Sequence, residues 1–400
     1  MLNALLSPTR FLSFEEMRPE ELAVAALYLG GAAGRPAPRR VALVRDSRPS
    51  AAVDALAAGL SSRFELVTLD RVQPNPLAAD ISAMARDCGL SGVDLVIGLG
   101  GGSVMDSAKA LAMLAENGGD LEDYLGAAPA RKIERKGRPL ILVPTTAGTG
   151  SEATRVGVYT AGSGRKYTLG SPLLQADAAL LSGALAASMP PSLTASTGFD
   201  ALSHALESIW NRNATPLTLD ASVRAALMVL GALEPAYDAS VDAAAGRKAG
   251  ARNAIALRML EAAAAAGVAF STTGTALVHA LSFVLSEDWH VPHGTACAFT
   301  LEDAYRLQAR DPEIARRLAA VGLAAIPGSR ADDAPSLLLE RMLKLKRKMG
   351  LPSTFAELGV KIDKADIRRR FERAFDDPKM ANSLPAAKPE EIYAMLEGKA

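Results

Sequence analysis

The stretch VDLVIGLGGGSVMDSAKALAMLAENG, residues 93–118, decides the fold. Its first part, VDLVIGLG, is a continuous apolar run, the pattern of a strand buried on both faces. SVMDSAKALAMLAENG then takes up helical spacing. Between them Gly100, Gly101 and Gly102 make a turn in which backbone can approach a ligand with no Cβ in the way. A strand that breaks into a helix through glycines leaves the first helical N–H groups unpaired, with the positive end of the helix dipole beside them. That is a setting for phosphate. Ser103 and Asp106 have capping-box spacing, so Ser103 is expected to cap the helix while Asp106 reaches back. A tight strand–helix turn without any ligand would use the same residues. The G-x-G-x-x-G dinucleotide fingerprint is also broken, because Ser103 stands at its third glycine.

Working outward, RRVALVRD (39–46), FELVTLD (64–70) and PLILVPTT (139–146) read as further strands, and 50–64 and 76–90 as helices between them. Strands alternating with helices predict a parallel, doubly wound α/β sheet. Past about residue 185 the strand pattern stops, and Ala- and Leu-rich helical segments such as 217–237 and 246–270 take over. Pro190-Pro191 marks the seam. The expectation is an α/β dinucleotide-binding domain over 1–188, an all-α domain over 189–400, and a ligand cleft between them.

Composition narrows the class. Lys+Arg and Asp+Glu are equal at 44 each, so no global field draws in nucleic acid or an anionic membrane. The opening MLNALLSPTRF lacks the basic start and apolar length of a signal peptide, and no apolar run is expected to span a membrane. Cys88 and Cys297 are far apart without CxxC spacing, which fits a reducing cytoplasm and argues against sulfur-ligated zinc. A cytoplasmic enzyme is the expected class.

A second turn, VPTTAGTGSEAT (143–154), follows the strand at 139–146, and Thr145, Thr146, Thr149 and Ser151 offer hydroxyls to phosphate and ribose. Two such turns at carboxyl ends of parallel strands fit ligand placement in open sheets. Asp46, at the end of RRVALVRD, can accept from ribose hydroxyls and repel a 2′-phosphate, favouring NAD over NADP. An ordinary helix-capping aspartate would look the same. In the second half, Asp200 and His204 are spaced i, i+4 on one helix face. His279 lies in an apolar helical stretch and His293 between Pro292 and Gly294. Together Asp200, His204, His279 and His293 would form a three-nitrogen, one-oxygen shell for Fe(II) or Zn(II), and ligand type does not choose between them.

GLGGGSVMDSAKA, PTTAGTGSEATR, GFDALSHALES and VHALSFVLSEDWHVPHG together resemble the iron-containing (group III) alcohol dehydrogenase family, in motif order and over nearly the whole chain. The resemblance implies the architecture this family shares with dehydroquinate synthase, and metal ligands at Asp200, His204, His279 and His293. It implies cofactor contacts at Gly100, Gly101, Gly102, Ser103 and Asp106, at Thr145, Thr146 and Thr149, at Asp46, and at Lys166 in GRKYTLGSP. The implied chemistry is hydride transfer between a nicotinamide and a small alcohol or aldehyde, in a homodimer or larger oligomer.

One position departs. Several members carry a histidine four residues after the one matching His279, and this chain has Phe283 there. His290 is the histidine left over for a proton relay, although an exposed loop histidine would read the same way. The aromatic at 283 together with HGTACAFTL is similar to the branch that reduces acid-bearing aldehydes such as phosphonoacetaldehyde, with Arg155 and Lys166 as candidates for an anionic tail. The rival activity is an NAD- and metal-dependent lyase or cyclase of the dehydroquinate synthase type.

Overall fold

The computed structural model describes residues 9–30, 36–48, 50–247 and 250–400. They form two compact units, one from residues 9–189 with 250–260, the other from 190–247 with 261–400.

In the first unit the strands are β1 (Arg10–Phe14), β2 (Arg40–Asp46), β3 (Glu65–Val72), β4 (Leu95–Gly100), β5 (Leu140–Pro144), β6 (Val156–Thr160), β7 (Lys166–Gly170) and β8 (Ala178–Ser182). Six make one sheet in the order β1-β8-β5-β4-β2-β3, and every pairing in it is parallel. Every residue of β4, β5 and β8 is buried. The reason is that successive side chains enter different cores. Val41, Leu43, Leu95, Ile97 and Ile141 pack on one face with helices α1 (Pro19–Gly30) and α2 (Ala51–Ser61). Ala42, Val44, Val96 and Leu142 pack on the other with α3 (Ala78–Asp87) and α4 (Gly102–Asn117). A sheet covered on both sides is the doubly wound arrangement. The two remaining strands, β6 and β7, form a separate antiparallel hairpin.

The capping expectation fails. Helix α4 starts at Gly102 with Gly101 as N-cap and no side-chain cap bond. Ser103 is already inside the helix, and the Asp106 carboxylate is engaged elsewhere.

The second unit is helical, with no named strand among its described residues. Its helices include α5's successor α6 (Pro191–Ile209), α7 (Pro216–Ala244), the later part of α8 (Arg252–Thr273), α9 (Leu277–Trp289) and α10 (His293–Gln308); α5 itself is the short Gly183–Ala186. Proline at the first positions of α6 and α7 starts each helix where the missing N–H costs nothing. Helices α7 and α8 are long and apolar enough by length and composition to cross a membrane, and 44% and 56% of their apolar windows are buried inside the protein.

Candidate metal centre and nucleotide turns

Three helices of the second unit deliver the donors. Helix α6 is buried almost throughout, and its i, i+4, i+7 stripe carries Asp200, His204 and Glu207. Helix α9 brings His279, and His293 is the first residue of α10. Gly294 is what lets α10 come close: a Cβ there would lie 2.2 Å from the Ser196 carbonyl oxygen on α6.

Asp200 Oδ1 is the hub. It lies 3.4 Å from His279 Nε2, 3.6 Å from His293 Nε2 and 3.8 Å from His204 Nδ1. Ligand atoms of Asp200, His279, His293 and Cys297 all fall within 4.8 Å of one another. His204 takes a different posture, its ring stacked between Phe270 (centroids 4.1 Å apart) and His279 (4.4 Å). His290 is not brought in. It is the exposed, left-handed C-cap of α9, with φ 55°.

Two findings test whether a cation fits. Asp200 Oδ1 and His279 Nε2 are buried, and neither has a hydrogen-bond partner of good geometry among the described residues. Buried polar atoms left this way cost about 1–3 kcal/mol each unless a ligand satisfies them. Electrostatics agree. Burial alone would raise the Asp200 pKa, but His204, His293 and His279 hold it well below the carboxylate range. Burial alone would lower the His279 pKa, but Cys297, Glu207 and Asp200 push it well above the imidazole range. The centre favours positive charge, and the donor set suits a divalent transition metal.

Residues unremarked in the sequence complete the centre. Glu207, fully buried, accepts from Ala276 N (3.0 Å) and Val278 N (2.5 Å), while its Oε2 lies 2.5 Å from His279 Nδ1. The carboxylate both satisfies backbone donors at the start of α9 and fixes the His279 ring. Ser282 donates to the His279 carbonyl (2.8 Å) and lies 3.4 Å from His293 Nδ1. Cys297, set aside because it has no CxxC partner, sits one turn after His293 with Sγ 3.8 Å from His293 Nε2. Burial pushes its thiol up to about 11. The spacings D-x3-H-x2-E and H-x3-C, each one helix face, were the signals available for Glu207 and Cys297.

In the first unit the two turns meet. Thr145 N donates to the Gly100 carbonyl at 3.0 Å. A Cβ on Gly101 would lie 3.4 Å from Thr146 Oγ1, and one on Gly102 would lie 2.8 Å from Thr149 Cγ2. Close approach of the hydroxyl loop to the α4 N-terminus thus crowds out a Cβ at 102, while one at 101 would make an ordinary contact. Both Asp106 oxygens accept from the protein, from Ser151 Oγ (2.7 Å) and Val158 N (2.9 Å). Beside it the buried Lys109 ammonium donates to the Ser151 and Val156 carbonyls at 2.6 Å and to the Ser151 and Thr154 hydroxyls at 2.9 Å. Burial pushes the Lys109 pKa down to about 8. These two side chains brace α4 against the hydroxyl loop and the β6–β7 hairpin. Lys166 is the first residue of β7. Asp46 ends β2 and accepts from Arg48, at 3.0 Å from its N and 2.6 Å from Nη2. Burial works to raise its pKa, but Arg48 and Arg45 leave it lowered.

A parallel α/β unit with paired phosphate-type turns, followed by helices that converge buried Asp and His donors, describes a nucleotide- and metal-binding oxidoreductase. Residues 25–182 match the family model "Iron-containing alcohol dehydrogenase", and 194–399 match "Fe-containing alcohol dehydrogenase family, C-terminal". The chain belongs to the iron-containing alcohol dehydrogenase family. It is 32% identical to sulfoacetaldehyde reductase of Bilophila wadsworthia over 76% of each chain. It is 39% identical to long-chain-alcohol dehydrogenase 1 of Geobacillus thermodenitrificans over 55% of this chain, and spans about half (52%) of that relative's length. The crystal structure of sulfoacetaldehyde reductase from Bifidobacterium kashiwanohense in complex with NAD+ matches with a TM-score of 0.83 and 25% identity, covering 99% of this chain and 98% of that one.

Proposed function

We propose that this chain is a metal-dependent, NAD-linked alcohol dehydrogenase that interconverts a small aldehyde and its alcohol, the aldehyde carrying an anionic tail. The observation that carries the reading is the pair of buried, unsatisfied donor atoms on Asp200 and His279, facing His293.

Asp200, His204, His279 and His293 would hold Fe(II) or Zn(II), the three imidazoles lying 3.4–3.8 Å from the Asp200 carboxylate oxygen and the His204 ring stacking on His279. The ion supplies Lewis-acid polarisation of the substrate oxygen, and the nicotinamide supplies the hydride. Glu207 keeps the His279 Nε2 lone pair aimed at the centre by occupying Nδ1. Main-chain N–H groups at Gly101, Gly102 and Ser103 receive the pyrophosphate, and the hydroxyls of Thr145, Thr146 and Thr149 orient it. Lys166 contributes a further cofactor contact, and Asp106 acts by bracing the turn. Asp46 receives the ribose hydroxyls. Phe283, its ring centroid 6.3 Å from that of His293, offers no proton acceptor, so the alcohol proton leaves to water.

The anionic tail is supported by Lys379, whose Nζ lies 4.0 Å over the Phe283 ring and 3.1 Å from Asp377 Oδ2. The likeness to sulfoacetaldehyde reductases points the same way. The test is reduction of sulfo-, phosphono- and carboxy-aldehydes and of butanal, with NADH and NADPH, on protein loaded with Fe(II) or Zn(II). Higher kcat/KM for the charged aldehydes is expected, and equality with butanal sinks the anionic tail. Net NADH formation from an alcohol separates this chemistry from that of a cyclase, which returns its cofactor unchanged.

A further inference from the structure

We infer that Phe283 and Lys379 act as one unit that selects the substrate. Lys379 receives the terminal anion of a short aldehyde, a sulfonate or phosphonate, and the Phe283 ring holds the ammonium in place to do so. The inference deepens the reading of this chain as a reductase of anion-bearing aldehydes and rests on it.

The geometry fixes the lysine at both ends. Lys379 lies on a short 3-10 turn, Pro378–Asn382, that packs on α9. At its root, Asp377 Oδ1 accepts from the Lys379 backbone N at 2.9 Å. At its tip, the Asp377 oxygens accept from Nζ at 3.3 and 3.1 Å. The same Nζ stands 4.0 Å over the centroid of the buried Phe283 ring, where the negative face of the ring attracts a cation. A flexible side chain is thereby pinned, with 15% of it left exposed. Asp377 is the one hydrogen-bond acceptor the ammonium meets among the described residues, and an ammonium carries three donors.

Position and charge then define the ligand. The Phe283 and His293 ring centroids are 6.3 Å apart, and 4.0 Å more reaches the ammonium, so it lies within about 10 Å of the His293 ring. That separation matches an acid group one or two carbons beyond the carbonyl. Phenylalanine in place of a histidine at 283 gains a purpose here. A protonated imidazole would repel the ammonium that a phenyl face attracts. Asp377 offsets part of the ammonium's field, so the expected discrimination is about tenfold.

The test uses the full-length, metal-loaded protein. It compares kcat/KM for sulfo- and phosphono-aldehydes with that for butanal, and by calorimetry with NAD bound it compares the Kd of 2-hydroxyethanesulfonate with that of 1-butanol. Lys379→Met keeps the length of the stem and removes the charge. The charged-to-uncharged ratio of kcat/KM should fall about tenfold, through KM and not kcat, and 2-hydroxyethanesulfonate should weaken by the same factor. Lys379→Arg should restore most of both. Phe283→Leu should lose several-fold of the ratio, Phe283→Tyr should retain it, and Phe283→Leu should cost nothing further once Lys379 is Met. Circular dichroism checks folding, and Lys379→Gln repeats the test if the Met variant misfolds. Charged ligands still preferred without the lysine charge overturn this inference and leave the substrate reading standing. Equal losses from Phe283→Leu with and without that charge overturn the coupling. No preference for charged ligands in wild type, in either turnover or Kd, overturns the inference and the substrate reading together.

Discussion

Glu207 Oε2 and His279 Nδ1 meet at 2.5 Å with both side chains buried, and the same carboxylate receives two backbone N–H groups at the start of α9. Removing it orphans donors and frees the imidazole at once. Glu207→Ala is expected to lower metal affinity by roughly 10–100-fold and to cost about 3–5 kcal/mol of stability. Glu207→Gln, which can still accept from the backbone, should recover most of the stability and little of the affinity. Chelator competition and urea unfolding measure the two effects separately, and parallel losses in both variants would contradict this division of labour.

The Gly102–Thr149 approach sets a limit on the nucleotide turn. An alanine at 102 would bring its Cβ to 2.8 Å from Thr149 Cγ2. Gly102→Ala should raise the Kd for NADH on the order of tenfold. Adding Thr149→Ser removes the clashing methyl and keeps a hydroxyl, so part of the affinity should return. Fluorescence titration of NADH checks both, and no recovery in the double variant would place the fault elsewhere.

Cofactor choice turns on a pair two residues apart. Asp46 now holds the Arg48 guanidinium, whose side chain is 71% exposed. Asp46→Ala should remove the repulsion felt by a 2′-phosphate and release Arg48 to receive it. The ratio of kcat/KM for NADP over NAD is expected to rise roughly tenfold or more. That gain should vanish in Asp46→Ala/Arg48→Ala.

His290 occupies the left-handed cap that favours glycine. His290→Gly should leave the pH profile of hydride transfer unchanged and stabilise the protein by up to about 1 kcal/mol. A shifted pKa in that profile would restore His290 as a relay.

Stability should carry a mark of the buried Lys109–Glu152 pair. Burial raises the Glu152 pKa from 4.5 to about 7. The folded state therefore holds more protons than the unfolded state in between, and stability falls as pH climbs from about 4.5 to 7. Lys109, lowered from 10.5 to about 8, works the other way, with stability regained as pH rises through that window. Glu152→Gln should flatten the first limb, worth about 3 kcal/mol, in urea unfolding run across pH. An unchanged slope would mean that this carboxyl does not titrate there.

How much of this was legible depends on the signal each part leaves. Strands β2, β4 and β5 are continuous apolar runs and could be read directly. β8, AALLS, is alanine-rich and short, and β1, RFLSF, is mostly exposed, so neither had the apolar length or periodicity of a core strand. The β6–β7 hairpin is polar, glycine-punctuated and partly exposed, and resembles loop. Among the site residues, Asp200, His204, His279 and His293 stood out because histidine is scarce and its spacing informative. The distances among them are long-range and could not be read. The capping expectation at Ser103 failed because Gly101 is the N-cap and Ser103 already lies inside the helix. Glu207 and Cys297 passed unnoticed because a glutamate on a helix and a lone cysteine look ordinary until their neighbours are known.

Donors that arrive on three separate helices have a consequence for the life of the protein. Asp200, His279 and His293 come together only once α6, α9 and α10 have packed, so an ion binds the folded chain and not the unfolded one. Each tenfold rise in free metal beyond the dissociation constant then adds about 1.4 kcal/mol to the folded state. With an ion held there, metal supply would also bear on abundance, since chains made without it would open more often and be cleared sooner.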